Sequence, residues 1–125
     1  MAGPFSNPFG GPTSKVVKRI TDTKADKLIL ETAEKSANYT LADGDQDKIV
    51  LMNVTGAATL TVPANATVAF DVGTIIGVYN MSTDAVTITG AGGVDVRNAG
   101  DLAQYDEVSL RKRAADEWVL AGSVT

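Results

Sequence analysis

The chain has 125 residues and a formal net charge of −4, and it contains neither cysteine nor histidine. This length fits a single domain, and the composition excludes disulfides, thiolate metal sites and imidazole groups that act as general bases or metal ligands. No apolar run reaches the length of a membrane-spanning helix, and the first residues lack the order of a signal peptide. Because the sequence also offers no nucleophile beside a base, we expect a protein that is not an enzyme and uses no cofactor or metal.

The first 14 residues carry three prolines, three glycines and no charged side chain. Within them the near-repeat GPFSNPFGGP contains Pro4, Phe5, Pro8 and Phe9, and two of the three phenylalanines of the chain. Such a segment cannot form a helix or fold alone, but apolar anchors on a proline-stiffened chain suit grooves on a partner. We predict an arm that binds a partner through these four residues. Two alternatives are a segment without a role and one whose phenylalanines pack into the domain itself.

Charge is distributed unevenly along the chain. Residues 1–37 carry six basic and four acidic side chains, whereas residues 38–125 carry five and eleven. Lys15, Lys18 and Arg19 lie in the stretch KVVKRI, which reads as a short strand with a basic rim. The asymmetry predicts that these three residues face an acidic partner, unless the charges serve only solubility. An acidic body argues against nucleic-acid binding, which needs a concentrated basic surface.

The boundary between arm and domain is predicted near residue 38. Residues 24–35 could form a helix on propensity, but the compact block Leu28-Ile29-Leu30 favours a strand over 27–32. We therefore expect an extended arm over residues 1–37, with one or two short strands, followed by a β domain over 38–125.

An acidic turn follows Leu41. Asp43, Asp45 and Asp47 alternate as in the calcium loop of an EF-hand, but the sixth position is Lys48 and the twelfth is Val54, where that loop needs glycine and glutamate. The Asp-Gly pair within it is a strong turn signal. We predict a solvated hairpin turn and no metal.

Short strands separated by glycine-, asparagine- and aspartate-rich turns fill the rest of the chain. The predicted strands cover residues 48–54, 59–62, 73–79, 85–89, 94–97, 107–113 and 117–121. Their length and spacing indicate an all-β fold, a small antiparallel sandwich or barrel.

The run 73–79 is too continuously apolar for a strand with one wet face. We predict that Ile75, Ile76, Val78 and Tyr79 lie at a contact between copies of this chain, in a homo-oligomer and most simply a trimer.

Two features near the C-terminus concern aromatic and basic side chains. Trp118 is the single tryptophan and is predicted to be a core or interface anchor; a sugar-binding platform together with Tyr79 and Tyr105 is the alternative. In the triplet Arg111-Lys112-Arg113, strand alternation sends Lys112 to the opposite face from its neighbours. We expect a solvated or ion-paired edge there.

Four Asn-x-Ser/Thr triplets begin at positions 38, 53, 65 and 80. In the absence of a secretion signal we interpret them as polar strand ends and not as glycan sites.

The succession TLTVP, N-x-x-V-A-F-x-V-G-T, VTIT, GAGGV and EWVLAG resembles the small C-terminal β domain of tailed-bacteriophage virion proteins, over roughly residues 39–122. The resemblance implies a structural virion protein located at the capsid surface after assembly in the host cytoplasm. We expect a capsid decoration (cement) protein whose partners are the major capsid protein and further copies of itself. Alternatives are a tail-fibre or tail-tip module and a carbohydrate-binding module.

Overall fold

The computed structural model describes residues 30–125, which form ten β-strands and, within that range, no helix. The predicted all-β class is therefore confirmed. The strands are β1 (Leu30–Glu31), β2 (Tyr39–Thr40), β3 (Lys48–Met52), β4 (Ala58–Val62), β5 (Ile75–Asn80), β6 (Val86–Gly90), β7 (Asp95–Arg97), β8 (Asp101–Leu102), β9 (Glu107–Ala114) and β10 (Glu117–Ala121).

The strands form two sheets, a six-stranded one in the order β1-β3-β5-β9-β10-β7 and a four-stranded one in the order β2-β4-β6-β8. From β1 to β6 the chain alternates between the sheets, and within each sheet these strands are parallel. Ile49 pairs with Gly77 in one sheet and Ala58 with Val86 in the other, so both sheets repeat after 28 residues at this point. Over β1 to β6 the chain therefore winds from one sheet to the other and back, adding parallel strands to each. Antiparallel pairing of β8 with β6 and of β9 with β5 ends this pattern.

The predicted antiparallel arrangement is corrected to a mixed one. A sheet of consecutive hairpins requires that neighbours in sequence pair, but most connections here cross from one sheet to the other. Among the described strands, β9 and β10 are the one consecutive pair that forms a hairpin, around residues 114–116 as the sequence predicts. Strand periodicity identifies the elements but carries no information on which of them become neighbours.

Residues 30–37, which the sequence assigns to the arm, pair with the six-stranded sheet. Leu30 pairs with Lys48 and Lys35 bridges to Met52, both in parallel register. A strand within 27–32 is confirmed for the part of that range that is described. The predicted strand at 15–20 lies outside the described residues.

The core lies between the two sheets and is built by strict alternation. In β4, Ala58, Leu60 and Val62 are buried while the two threonines between them are half-exposed. Trp118 is buried in this core, as predicted, and its ring meets that of Phe70 edge-on, with centroids 5.7 Å apart and an interplanar angle of 89°. This edge-to-face geometry is a favourable arrangement of two aromatic rings.

Candidate functional site

The predicted partner-binding residues lie outside the described part of the chain. They are Pro4, Phe5, Pro8, Phe9, Lys15, Lys18 and Arg19. What the structure provides is the point at which this segment joins the fold. That point is β1, the outermost of the described strands in the six-stranded sheet, where Leu30 is 63% exposed.

The six-stranded sheet turns one side toward the core and the other away from it, and we call the second its outer face. Three rows of paired residues cross this outer face. The central row contains Ile49, Gly77, Ser109 and Ala121. The rows on either side contain Ile75, Arg111 and Val119, and Leu51, Tyr79 and Glu107, respectively.

A groove of about 230 Å³ opens on the outer face above Gly77. Its lining includes Ile49, Ile75, Ser109 and Ala121. The groove exists because Gly77 has no side chain. A Cβ atom built there would come within 3.0 Å of Cγ1 of Ile49.

Most charged side chains of the outer face fall into two groups, and Glu31 lies apart from both on edge strand β1. At one end, Glu117 forms ion pairs with Arg97 and Arg113, at 3.3 and 3.0 Å. In the central part of the face, Arg111 and Glu107 are both exposed, and neither forms an ion pair with any residue between 30 and 125. The sequence analysis did not identify Glu107 and Ser109 as surface-forming residues, although the alternation in EVSLRKR places them on one face with Arg111.

The predicted oligomer residues divide between the two sides of β5. Ile76 and Val78 are completely buried in the core of the single chain, so they are not available for a contact between subunits. Ile75 is 44% exposed and Tyr79 is half-buried, and both lie on the outer face. Ile76 and Val78 are therefore apolar because they pack in the core, and not because they contact a second subunit. Self-association through Ile75 and Tyr79 stays a prediction.

Lys112 does not lie at a solvated edge. It points inward, as strand alternation predicts, but its exposed fraction is 1%. Nζ donates hydrogen bonds of 2.6 Å to Oδ1 of Asn65 and to the carbonyl oxygen of Phe70. A buried lysine needs such acceptors because desolvation of an ammonium group is costly. Both acceptors belong to the long connection between β4 and β5, which Lys112 fastens to the sheet.

The acidic turn is neither a hairpin nor fully solvated. It connects β2 in one sheet to β3 in the other, and Asp45 is only 6% exposed. The Asp45 carboxylate accepts hydrogen bonds from the hydroxyl of Tyr39 (2.7 Å) and the amide of Ala42 (2.8 Å). Burial, this hydrogen bond and the negative charge of Asp45 raise the pKa of Tyr39 from 10.0 to about 12. The Lys35 ammonium lies 4.5 Å from the centroid of the same ring.

Asn80 forms a second buried polar node. Its Nδ2 donates to the carbonyl oxygens of Asp84 (3.0 Å) and Leu102 (2.9 Å), and its Oδ1 accepts from the amide of Ser82 (2.7 Å). Asn80 has no exposed surface, and these three partners of its side chain are all backbone groups. It is a polar residue at the end of β5, as the sequence analysis predicts for this triplet.

The three aromatic residues of the carbohydrate hypothesis do not form one exposed platform. Trp118 is in the core, Tyr79 is half-buried on the outer face, and Tyr105 protrudes from the loop before β9, 67% exposed. Tyr105 has a positive φ of 66°, and its amide donates a 2.6 Å hydrogen bond to the carbonyl oxygen of Asn80. The Asn80 node therefore also supports the conformation of this loop.

Between residues 30 and 125, no helix is long and apolar enough to cross a membrane. In the same part of the chain, no three acidic side chains are grouped in a way that could hold a metal ion. Comparison with known protein families, with curated proteins and with solved structures gives no match to this chain.

Proposed function

We propose that the protein is a structural component of a bacteriophage virion that decorates the head shell. Its partner is the major capsid protein, which it binds through the N-terminal segment containing Phe5 and Phe9. In this proposal the β domain is a compact knob, and the segment before it provides the attachment.

One observation carries the proposal: the N-terminal segment joins the β domain at β1, which is exposed and is an edge strand among residues 30–125, and not within the core. A segment attached at an edge can bind a partner without disturbing the packing between the two sheets. Between Phe9 and Leu30 the chain can span at most about 70 Å when fully extended.

The energetic division within the segment follows from its residue types. Burial of one phenylalanine side chain contributes about 1.5–3 kcal/mol, whereas an exposed ion pair contributes about 0–1 kcal/mol. Phe5 and Phe9 should therefore dominate the affinity. Lys15, Lys18 and Arg19 should govern the association rate and its dependence on salt.

The test is cosedimentation of the full chain with empty heads and, separately, with isolated tails. Changing Phe5 and Phe9 to alanine should weaken head binding by about 100-fold or more and leave the melting temperature of the β domain unchanged. The matched control is Tyr105→Ala, which removes an exposed aromatic side chain from the β domain and should leave head binding intact. Saturation of heads by the Phe5/Phe9 variant at the wild-type concentration would reject the proposal.

A second arm of the experiment concerns charge. Changing Lys15, Lys18 and Arg19 to glutamine should slow association and flatten its dependence on salt, with a smaller effect on affinity than the phenylalanine changes. Binding to tails and not to heads would instead favour the tail-fibre or tail-tip module.

A further inference from the structure

Strand β9 presents three side chains in succession on the outer face: Glu107, Ser109 and Arg111. They pair across to Tyr79, Gly77 and Ile75 of β5, respectively. The two charges thus lie on opposite sides of the central row, with Cα atoms about 13 Å apart along the strand. Within residues 30–125 neither charge is neutralised by an ion pair. Between β3 and β10 the outer face is therefore apolar at its centre and carries Arg111 and Glu107, one charge of each sign, on opposite sides of the central row; Glu31, at the β1 end of that row, is a further acidic side chain.

We propose that the outer face binds a second copy of this chain about a two-fold axis that runs along the central row, across the strands. Such an axis reverses the strand direction and exchanges the two flanking rows. Arg111 of each copy then faces Glu107 of the other, twice per dimer. Ile75 of each copy faces Tyr79 of the other, and Ser109 lies close to the axis.

Self-complementarity is the property that a two-fold interface requires, because the same patch must fit itself. A symmetric pair of opposite charges around an apolar row meets this requirement. The groove above Gly77 lies on the axis, so the grooves of the two copies face each other, and Ile49 and Ser109 beside Gly77 meet their own counterparts there. Ile75, which is 44% exposed in the single chain, would lose contact with water.

Two features determine how strongly the two copies should associate. The central part of the face spans four strands and three rows, which is small for a protein interface, so the dimer should be weak, with a dissociation constant on the order of 10–100 µM. Glu31, in the central row on edge strand β1, would face its own copy. It lies at the rim, where water screens the repulsion.

The contact is tested by charge reversal in the full chain, with sedimentation over about 10 µM to 1 mM at low salt. The wild-type protein should form dimers. Arg111→Glu alone and Glu107→Arg alone should each raise the dissociation constant by at least about 100-fold, because each places like charges at two symmetric contacts. An equimolar mixture of the two variants should regain dimers, since the reversed residue of each variant then faces an opposite charge on the other.

Asp84→Arg, an exposed reversal in the loop after β5, is the control and should not change association. Ile75→Ser tests the apolar part independently and should weaken the dimer without a change in charge.

A wild-type protein that is monomeric at the highest concentration, a trimer, or single reversals that dimerise as the wild type does would each overturn the proposal. So would a mixture of the two variants that stays monomeric. If changing Phe5 and Phe9 abolishes the dimer while Arg111→Glu and Glu107→Arg leave it intact, the contact belongs to the N-terminal segment and not to the outer face. Head binding by the same variants is a separate measurement, so the dimer and the proposed function can fail independently.

Discussion

Nζ of Lys112, on β9, donates a hydrogen bond of 2.6 Å to Oδ1 of Asn65, in the connection that carries the chain from the four-stranded to the six-stranded sheet. The amide of Asn65 in turn donates to the Asp116 carboxylate at 2.8 Å, in the β9–β10 turn. Asn65 thus links the long β4–β5 connection both to strand β9, through Lys112, and to the β9–β10 turn, through Asp116. Its ordered path depends on a lysine that the core fully encloses.

Replacement of Lys112 tests this dependence. Lys112→Ala should lower the free energy of unfolding by about 2–5 kcal/mol, because it creates a cavity and leaves the two acceptors without a donor. Lys112→Met keeps most of the volume and should cost about 1–3 kcal/mol. Arg113→Met, at the adjacent exposed position, is the matched control and should cost no more than about 1 kcal/mol. Urea unfolding measures all three; a methionine variant as stable as the wild type would mean that the two hydrogen bonds contribute nothing net.

Asn80 offers a test with a nearly isosteric change. Asn80→Asp replaces a donor that faces two carbonyl oxygens by a carboxylate oxygen, so it should destabilise the fold by about 3 kcal/mol or more. Asn38→Asp makes the same chemical change at an exposed position, where the side-chain oxygen accepts a hydrogen bond from the Thr59 amide, and should cost less than about 1 kcal/mol. Thermal unfolding at neutral pH compares them. Equal losses from the two variants would show that burial of the Asn80 amide is not the cause.

The raised pKa of Tyr39 predicts how the stability of the fold changes at alkaline pH. Because its folded pKa is raised to about 12 from 10.0, the protonated phenol is favoured by folding. Its contribution is complete below pH 10 and is lost as the pH rises from 10 to 12. Tyr39→Phe should reduce this loss, and its ultraviolet titration should lack the tyrosinate that forms near pH 12 in the wild type. A Tyr39 that titrates at its ordinary pKa of 10.0 would contradict the effect of its burial and of its hydrogen bond to Asp45.

Gly90, at the end of β6, should not tolerate a larger residue. A Cβ atom there would lie 2.5 Å from the backbone oxygen of Val94, and backbone cannot move aside as a flexible side chain can. Gly90→Ala should therefore destabilise the fold by about 1–3 kcal/mol. Gly92, in the same turn, has no atom within 4 Å of a Cβ position, and Gly92→Ala should lie within about 1 kcal/mol of the wild type. If both variants unfold at the wild-type urea concentration, the turn adjusts more easily than this geometry implies.

Local periodicity was sufficient to identify the longer strands, but it did not predict β2 or β8, which are two residues long. Thr59 and Thr61 alternate with apolar neighbours, and β4 buries the apolar side of that pattern. The same alternation placed Lys112 on the opposite side from its neighbours. Burial of Trp118 also follows from composition, since a single large aromatic residue on an alternating strand has few other places in a small domain.

Strand neighbours depended on the tertiary structure, because the hydrogen-bonding groups of a strand are the same whichever strand lies beside it. Ile49 pairs with Gly77 and not with a residue of the next strand in sequence, and that choice makes the sheets mixed.

The sequence by itself therefore determined an all-β fold and, in strands with clear alternation such as β4, the side that faces inward. Only the tertiary structure decided what each inward or outward side chain meets: Lys112 meets two oxygens of a crossover, Asp45 a tyrosine hydroxyl, and Ile76 a core instead of a partner. The physical reason is that the alternation of the pleated backbone gives the direction of a side chain, whereas its environment is set by residues far away in sequence that the fold brings near.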